Sequence, residues 1–133
     1  MDRLPEPPEG FEAEIMFDDE SIPLHVRRNE AMRLMLVAIN KSKGRGIAHS
    51  KAEAAYYSAK SADTDRLLSA GFTATSTADK VKGEPATNKA LEKRIAERVG
   101  YENACEAIQC FKKIASILND DIQREWEQAR RTT

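Results

Sequence analysis

The sequence predicts a mainly all-α chain, and three observations carry that prediction. Apolar residues recur at threes and fours over two stretches, 24–70 and 85–131, which is the spacing that lines one face of a helix. Proline and glycine punctuate the ends of those stretches: Pro23 suits a first helical position, Pro85 opens the second stretch, and Gly71 suits the left-handed residue that closes a helix. The two stretches are each 47 residues long, roughly 70 Å if fully helical, around a short connector. Equal arms predict a long antiparallel helical hairpin. A true turn at 41–46 would instead give a three-helix bundle, and both arrangements stay open.

The expected organisation is an acidic extended N-terminal arm, 1–22, followed by a helical domain, 23–133. Pro5, Pro7, Pro8 and Gly10 keep the start of the arm extended. Phe11, Ala13, Ile15 and Phe17 then alternate with Glu12, Glu14 and Met16, the period-2 pattern of a short strand over 11–17. A lone strand cannot satisfy its own backbone, so it needs a partner edge or lies along helices as an arm. Asp18-Asp19-Glu20-Ser21 forms a turn.

In the first helical stretch Leu24, Ala31, Met32, Met35, Leu36 and Ile39 mark the apolar face. Gly44 and Gly46 then interrupt it, at about 1 kcal/mol each in a helix interior, so they predict a break or bend. Ala48, Ala52, Ala55, Ala59 and Ala62 form a small-residue seam that admits a close neighbour. In the connector 72–84, Thr75 or Ser76 is expected to cap one short helical turn that Gly83 closes.

The stripe of the last helix runs through Tyr101, Cys105, Ile108, Ala115, Ile122, Trp126 and Ala129. Between Ala104 and Leu118 its apolar arc widens past half the circumference, too much for one neighbour to bury. Contact from at least two sides is expected, most simply through self-association as a two-fold homodimer, with Ile108, Phe111, Ile114, Leu118 and Trp126 as the oligomer interface. Leu91, Ile95 and Val99 lie on a different face, which implies a bend at Gly100 or a different neighbour.

The 133 residues carry a net charge of −1 that hides an asymmetry. Residues 1–20 sum to −7 and the remainder to +6, most of it in 25–51. That charge split nominates two binding surfaces. The basic stretch Arg27, Arg28, Arg33, Lys41, Lys43, Arg45 and Lys51 could track phosphates or meet an acidic partner. The arm, through Phe11, Glu12, Glu14, Phe17, Asp18 and Asp19, could dock on a basic groove or shield the basic stretch of its own chain.

No pattern for catalysis, cofactor or metal stands out. His25 and His49 sit outside any motif, and there is no GxGxxG, Walker or HExxH spacing. Cys105 and Cys110 are five apart and diverge by about 140° on one helix, which excludes a disulfide between them there. Without a signal-like N-terminus or an apolar run of roughly 18 residues, reduced thiols, a cytoplasmic setting and no membrane association are expected.

The segments Ala52-Glu53-Ala54-Ala55-Tyr56-Tyr57-Ser58-Ala59-Lys60, Gly71-Phe72-Thr73-Ala74-Thr75 and Lys82-Gly83 occur in that order. Ala96-Glu97-Arg98 and Tyr101-Glu102-Asn103-Ala104-Cys105-Glu106-Ala107-Ile108 follow them. Together they resemble an uncharacterised family of small helical proteins encoded by phages and prophages of Gram-positive bacteria. The likeness spans about residues 47–125. It implies a phage accessory protein acting in an infected cell and carries over no catalytic residues. The combined expectation is a non-enzymatic protein that binds a host or phage protein of nucleic-acid transactions or antiviral defence. Direct nucleic-acid binding through 27–51 and a role in virion assembly are the alternatives. No small-molecule substrate is expected.

Overall fold

A computed structural model describes residues 3–132. Three helices make up most of it: α1 (Leu24–Ser69), α2 (Ala74–Lys80) and α3 (Pro85–Thr132), with a 3-10 turn at Val81–Gly83. No strand occurs among the described residues. The fold is all-α, with α1 packed against α3. Arg94 bonds Glu53 and Thr87 bonds Asp63, so numbers rise on one helix as they fall on the other, and the pair is antiparallel.

The turn at 41–46, which would have given the alternative arrangement, is absent. Helix α1 runs unbroken through Gly44 and Gly46, which removes the three-helix bundle. A Cβ on Gly46 would stand 3.3 Å from the Tyr101 ring, so this glycine lets α3 approach closely rather than ending the helix. Gly71 does terminate α1, at φ +98°, with its N–H donating to the Leu68 carbonyl. The cap of α2 is Thr73, not Thr75 or Ser76. Its side-chain oxygen accepts from the Ser76 N–H at 3.2 Å, and its backbone is extended as a cap requires.

The chain divides into two compact units. One comprises the residues up to Ser42 with those from Asn103 onward, and the other is Lys43–Glu102. The arm is therefore no separate domain. In the first unit, Ala31, Leu34 and Ala38 of α1 and Ala107, Phe111, Ile114 and Leu118 of α3 form a core that Phe11 and Phe17 of the arm complete. Phe11 meets Phe111 edge-on and Phe17 meets it tilted, at centroid distances of 5.9 and 6.3 Å. Leu34 and Ala38 carry the α1 face, whereas Met32 and Leu36 point to solvent.

The strand over 11–17 does not form, although its alternation of faces holds: Phe11 and Phe17 are buried while Glu12, Glu14 and Met16 are exposed. The reason lies in where the arm's backbone bonds go. Glu30 accepts from the Glu14 N–H at 2.6 Å, and Lys41 and Asn103 donate to the carbonyls of Gly10 and Glu9. Side chains of the helices take up these backbone groups in place of a partner strand.

In the second unit Ala52, Asp63 and Leu67 of α1, Thr77 and Val81 of the connector and Thr87 of α3 are buried. Of the alanine seam, Ala52 is buried and Ala48 and Ala59 half-buried, but Ala55 and Ala62 face solvent. Buried Asp63 accepts the Thr87 hydroxyl at 2.6 Å, which fixes the register of the start of α3 on the end of α1.

Candidate functional site

Within the first unit the basic stretch turns out to be partly a clamp for the arm. Arg27 is buried and donates to the carbonyls of Ile22 and Phe17 at 2.9 and 3.1 Å. Arg33 grips Glu30 at 2.5 Å and lies 4.0 Å from Glu14. Lys41 bonds Gly10 and stands 4.6 Å over the Phe11 ring. Arg28 donates to Asn119 at 3.3 Å. These four residues are engaged with the arm or neighbouring helices. Lys43, Arg45 and Lys51 remain exposed in the second unit.

The arm is correspondingly not a free recognition segment. Phe11 and Phe17 belong to the core, leaving Glu12, Glu14 and Asp18 exposed and Asp19 half-buried in its turn. Ser21 donates to Asp19 through both its N–H and its hydroxyl, and those bonds lower the Asp19 carboxyl below the ordinary range. The start of the arm is tied down by Arg3, which bonds Asp121 and holds that carboxyl below the ordinary range against the opposing pull of burial. An open cleft of about 1050 Å³ lies beside this pair, and its Arg124 also reaches Asp121, at 3.4 Å.

The expected oligomer interface is corrected in the same unit. Phe111, Ile114 and Leu118 are sealed inside the chain at 0–1% exposure, with Ile108 half-buried beside them. The wide arc of α3 does meet two neighbours, but the second is the chain's own arm rather than another copy. Trp126 is 67% exposed. Cys105 and Cys110 are free and half-buried, and burial pushes the Cys110 thiol up against the pull of Lys113. No group of three or more potential metal ligands occurs among the described residues.

The second unit holds a feature that periodicity did not reveal. Helix α1, the connector and the start of α3 enclose a groove of about 420 Å³. Tyr56 and Leu68 line it from α1, Thr77 and Val81 from the connector, and Leu91 from α3, with Lys60 and Lys82 also on its wall. Arg94 stacks 4.9 Å from the Tyr56 ring while bonding Glu53, which fixes the aromatic wall. The sequence signal was available in outline: Tyr56, Lys60, Thr64 and Leu68 recur every four residues, yet a face of mixed polarity does not announce a cavity.

Ile95 and Val99 follow Leu91 at four-residue steps and stand exposed, as do Ile47 and Tyr57 of α1 in the same unit. His49 stacks parallel to Tyr101 at 6.2 Å, which gives that histidine a packing role. Comparison of the chain with protein-family models, curated proteins and solved structures gives no match.

Proposed function

We propose that this chain is a non-enzymatic accessory protein of a phage or prophage that acts by binding a macromolecule. Its target is a host or phage protein of nucleic-acid transactions or antiviral defence. The observation that carries the reading is the apolar row Leu91, Ile95 and Val99 on α3, of which the last two are exposed at 44% and 57%. Burial of such residues is favourable by about 25 cal/mol per Å², so a row left in water on one helix face suits an interface. The resemblance of residues 47–125 to small phage proteins supports the same reading, because that span contains the row. Surface use shifts accordingly from the arm, whose aromatic residues are spent on the core, to the second unit.

The test is a pull-down from phage-infected cells with the full chain and with an Ile95→Glu/Val99→Glu variant. A replication, repair or defence protein captured by the first and lost by the second supports the reading. Equal capture by both, or a gel shift with DNA at low salt that disappears when Lys43, Arg45 and Lys51 are neutralised, would overturn it.

A further inference from the structure

The groove of the second unit differs from the exposed row because it is concave and walled on three sides. Its apolar surface comes from Leu68, Val81 and Leu91 with the Tyr56 ring. At about 420 Å³ it falls in the size range of small-molecule sites rather than of a helix-binding surface.

Its polar groups are few and unevenly satisfied. The Thr64 hydroxyl donates to the Lys60 carbonyl and the Thr87 hydroxyl to Asp63. Thr77 is different: 1% exposed, its Oγ1 is shielded from water and has no hydrogen-bond partner among the described residues. A buried hydroxyl without a partner calls for an explanation, and an absent ligand is one. Lys60 of α1 and Lys82 of the connector are exposed lysines that line the groove, and neither forms an ion pair among the described residues. The Lys60 ammonium stands 5.9 Å from the Tyr56 ring.

We propose that this groove binds a small anionic amphiphile, one carboxylate on an apolar body. The apolar body lies on Leu68, Val81 and Leu91. The carboxylate meets Lys60 and Lys82, and adjustment of the connector brings an acceptor oxygen to the Thr77 hydroxyl. This goes beyond the macromolecular reading, does not depend on it, and departs from the sequence-based expectation of no small molecule.

The experiment titrates the full-length protein with decanoate, decanol and decyltrimethylammonium, each below its aggregation concentration, following backbone amide NMR shifts and heat. Decanoate is expected to saturate, shifting Thr77, Val81 and Leu91 together, with the uncharged and cationic chains at least fivefold weaker. Lys60→Met/Lys82→Met should weaken decanoate at least fivefold while leaving decanol unchanged. Thr77→Val should weaken decanoate without lowering the melting temperature of the free protein. Leu91→Trp, which fills the groove, should abolish saturation while circular dichroism shows an intact fold. Equal affinity for all three chains, non-saturating shifts spread over both units, or binding that survives Leu91→Trp would each overturn the proposal. None of these outcomes bears on capture of a protein through Ile95 and Val99, so the two readings fail separately.

Discussion

Phe11 sits edge-on against Phe111, their centroids 5.9 Å apart across one hundred residues of chain, and this contact closes the core of the first unit. Phe111, Ile114 and Leu118 are dry because Phe11 and Phe17 cover them. Deleting residues 1–20 should therefore uncover an apolar patch on α3 and convert the protein to a dimer or larger species. Sedimentation of the truncated and full-length chains checks this. The Phe11→Ala and Phe17→Ala variants should each cost about 3 kcal/mol in urea denaturation. A truncated chain that keeps both the stability and the oligomeric state of the full chain would show that the arm contributes no net cover.

Glu30 ties the arm to α1 electrostatically. It is buried, accepts from the Glu14 N–H, and receives two bonds from Arg33. The Arg33 guanidinium, helped by the Glu14 N–H, holds the Glu30 carboxyl below the ordinary range although burial pushes the other way. A carboxyl lowered in the folded state is protonated first in the unfolded chain. Its stabilisation is thus complete above the ordinary glutamate value, near 4.3, and is lost as pH falls from roughly 5 towards the lower folded value. Glu30→Gln should cost on the order of 1–3 kcal/mol at pH 7 and less at pH 3.5. Urea denaturation at the two pH values checks both the size and the sign.

Thr87 and Asp63 form the corresponding tie in the second unit, buried and 2.6 Å apart. Thr87→Val keeps the shape but deprives a buried carboxylate of a donor, leaving it with Arg66 at 3.6 Å. A loss on the order of 1–3 kcal/mol is expected. Amide exchange should quicken at the end of α1 and the start of α3 while the amides around Phe111 stay protected. Uniform quickening throughout the chain would show that the two units unfold as one.

How much of this was legible in the sequence depended on whether a residue acts through its own helix or through a distant segment. Pro85 and Gly71 announce helix ends because local φ preferences decide them, and both ends are where they were expected. The wide arc around Phe111 correctly called for two neighbours, since the amount of apolar surface is a local property. Which neighbour covers it is not, and an arm one hundred residues away competes on equal terms with a second copy. The basic stretch was legible as charge, but the role of Arg27 as a carbonyl clamp depends on the arm's path, which no periodicity encodes. The groove on Thr77 and Leu91 joins three elements, and only its α1 wall, Tyr56, Lys60, Thr64 and Leu68 at four-residue steps, left a trace in the sequence.

Gly44 and Gly46 separate local propensity from packing most cleanly. Both lie inside α1, where glycine costs about 1 kcal/mol relative to alanine. Nothing lies within 4 Å of a Cβ built on Gly44, so Gly44→Ala should raise stability by about 0.5–1 kcal/mol through lost unfolded-state freedom alone. On Gly46 the same methyl meets the Tyr101 ring at 3.3 Å, so the ring must give by a few tenths of an ångström and part of that gain is lost. A larger side chain cannot be placed by so small an adjustment, and Gly46→Leu should be destabilising by about 1–3 kcal/mol. Thermal melts of the three variants check the order Gly44→Ala above Gly46→Ala above Gly46→Leu. Tyr101→Ala should then rescue Gly46→Leu but leave Gly44→Ala unaffected. If the two alanine variants gained equally and Tyr101→Ala gave no rescue, the close approach of α3 to Gly46 would not be what selects glycine there.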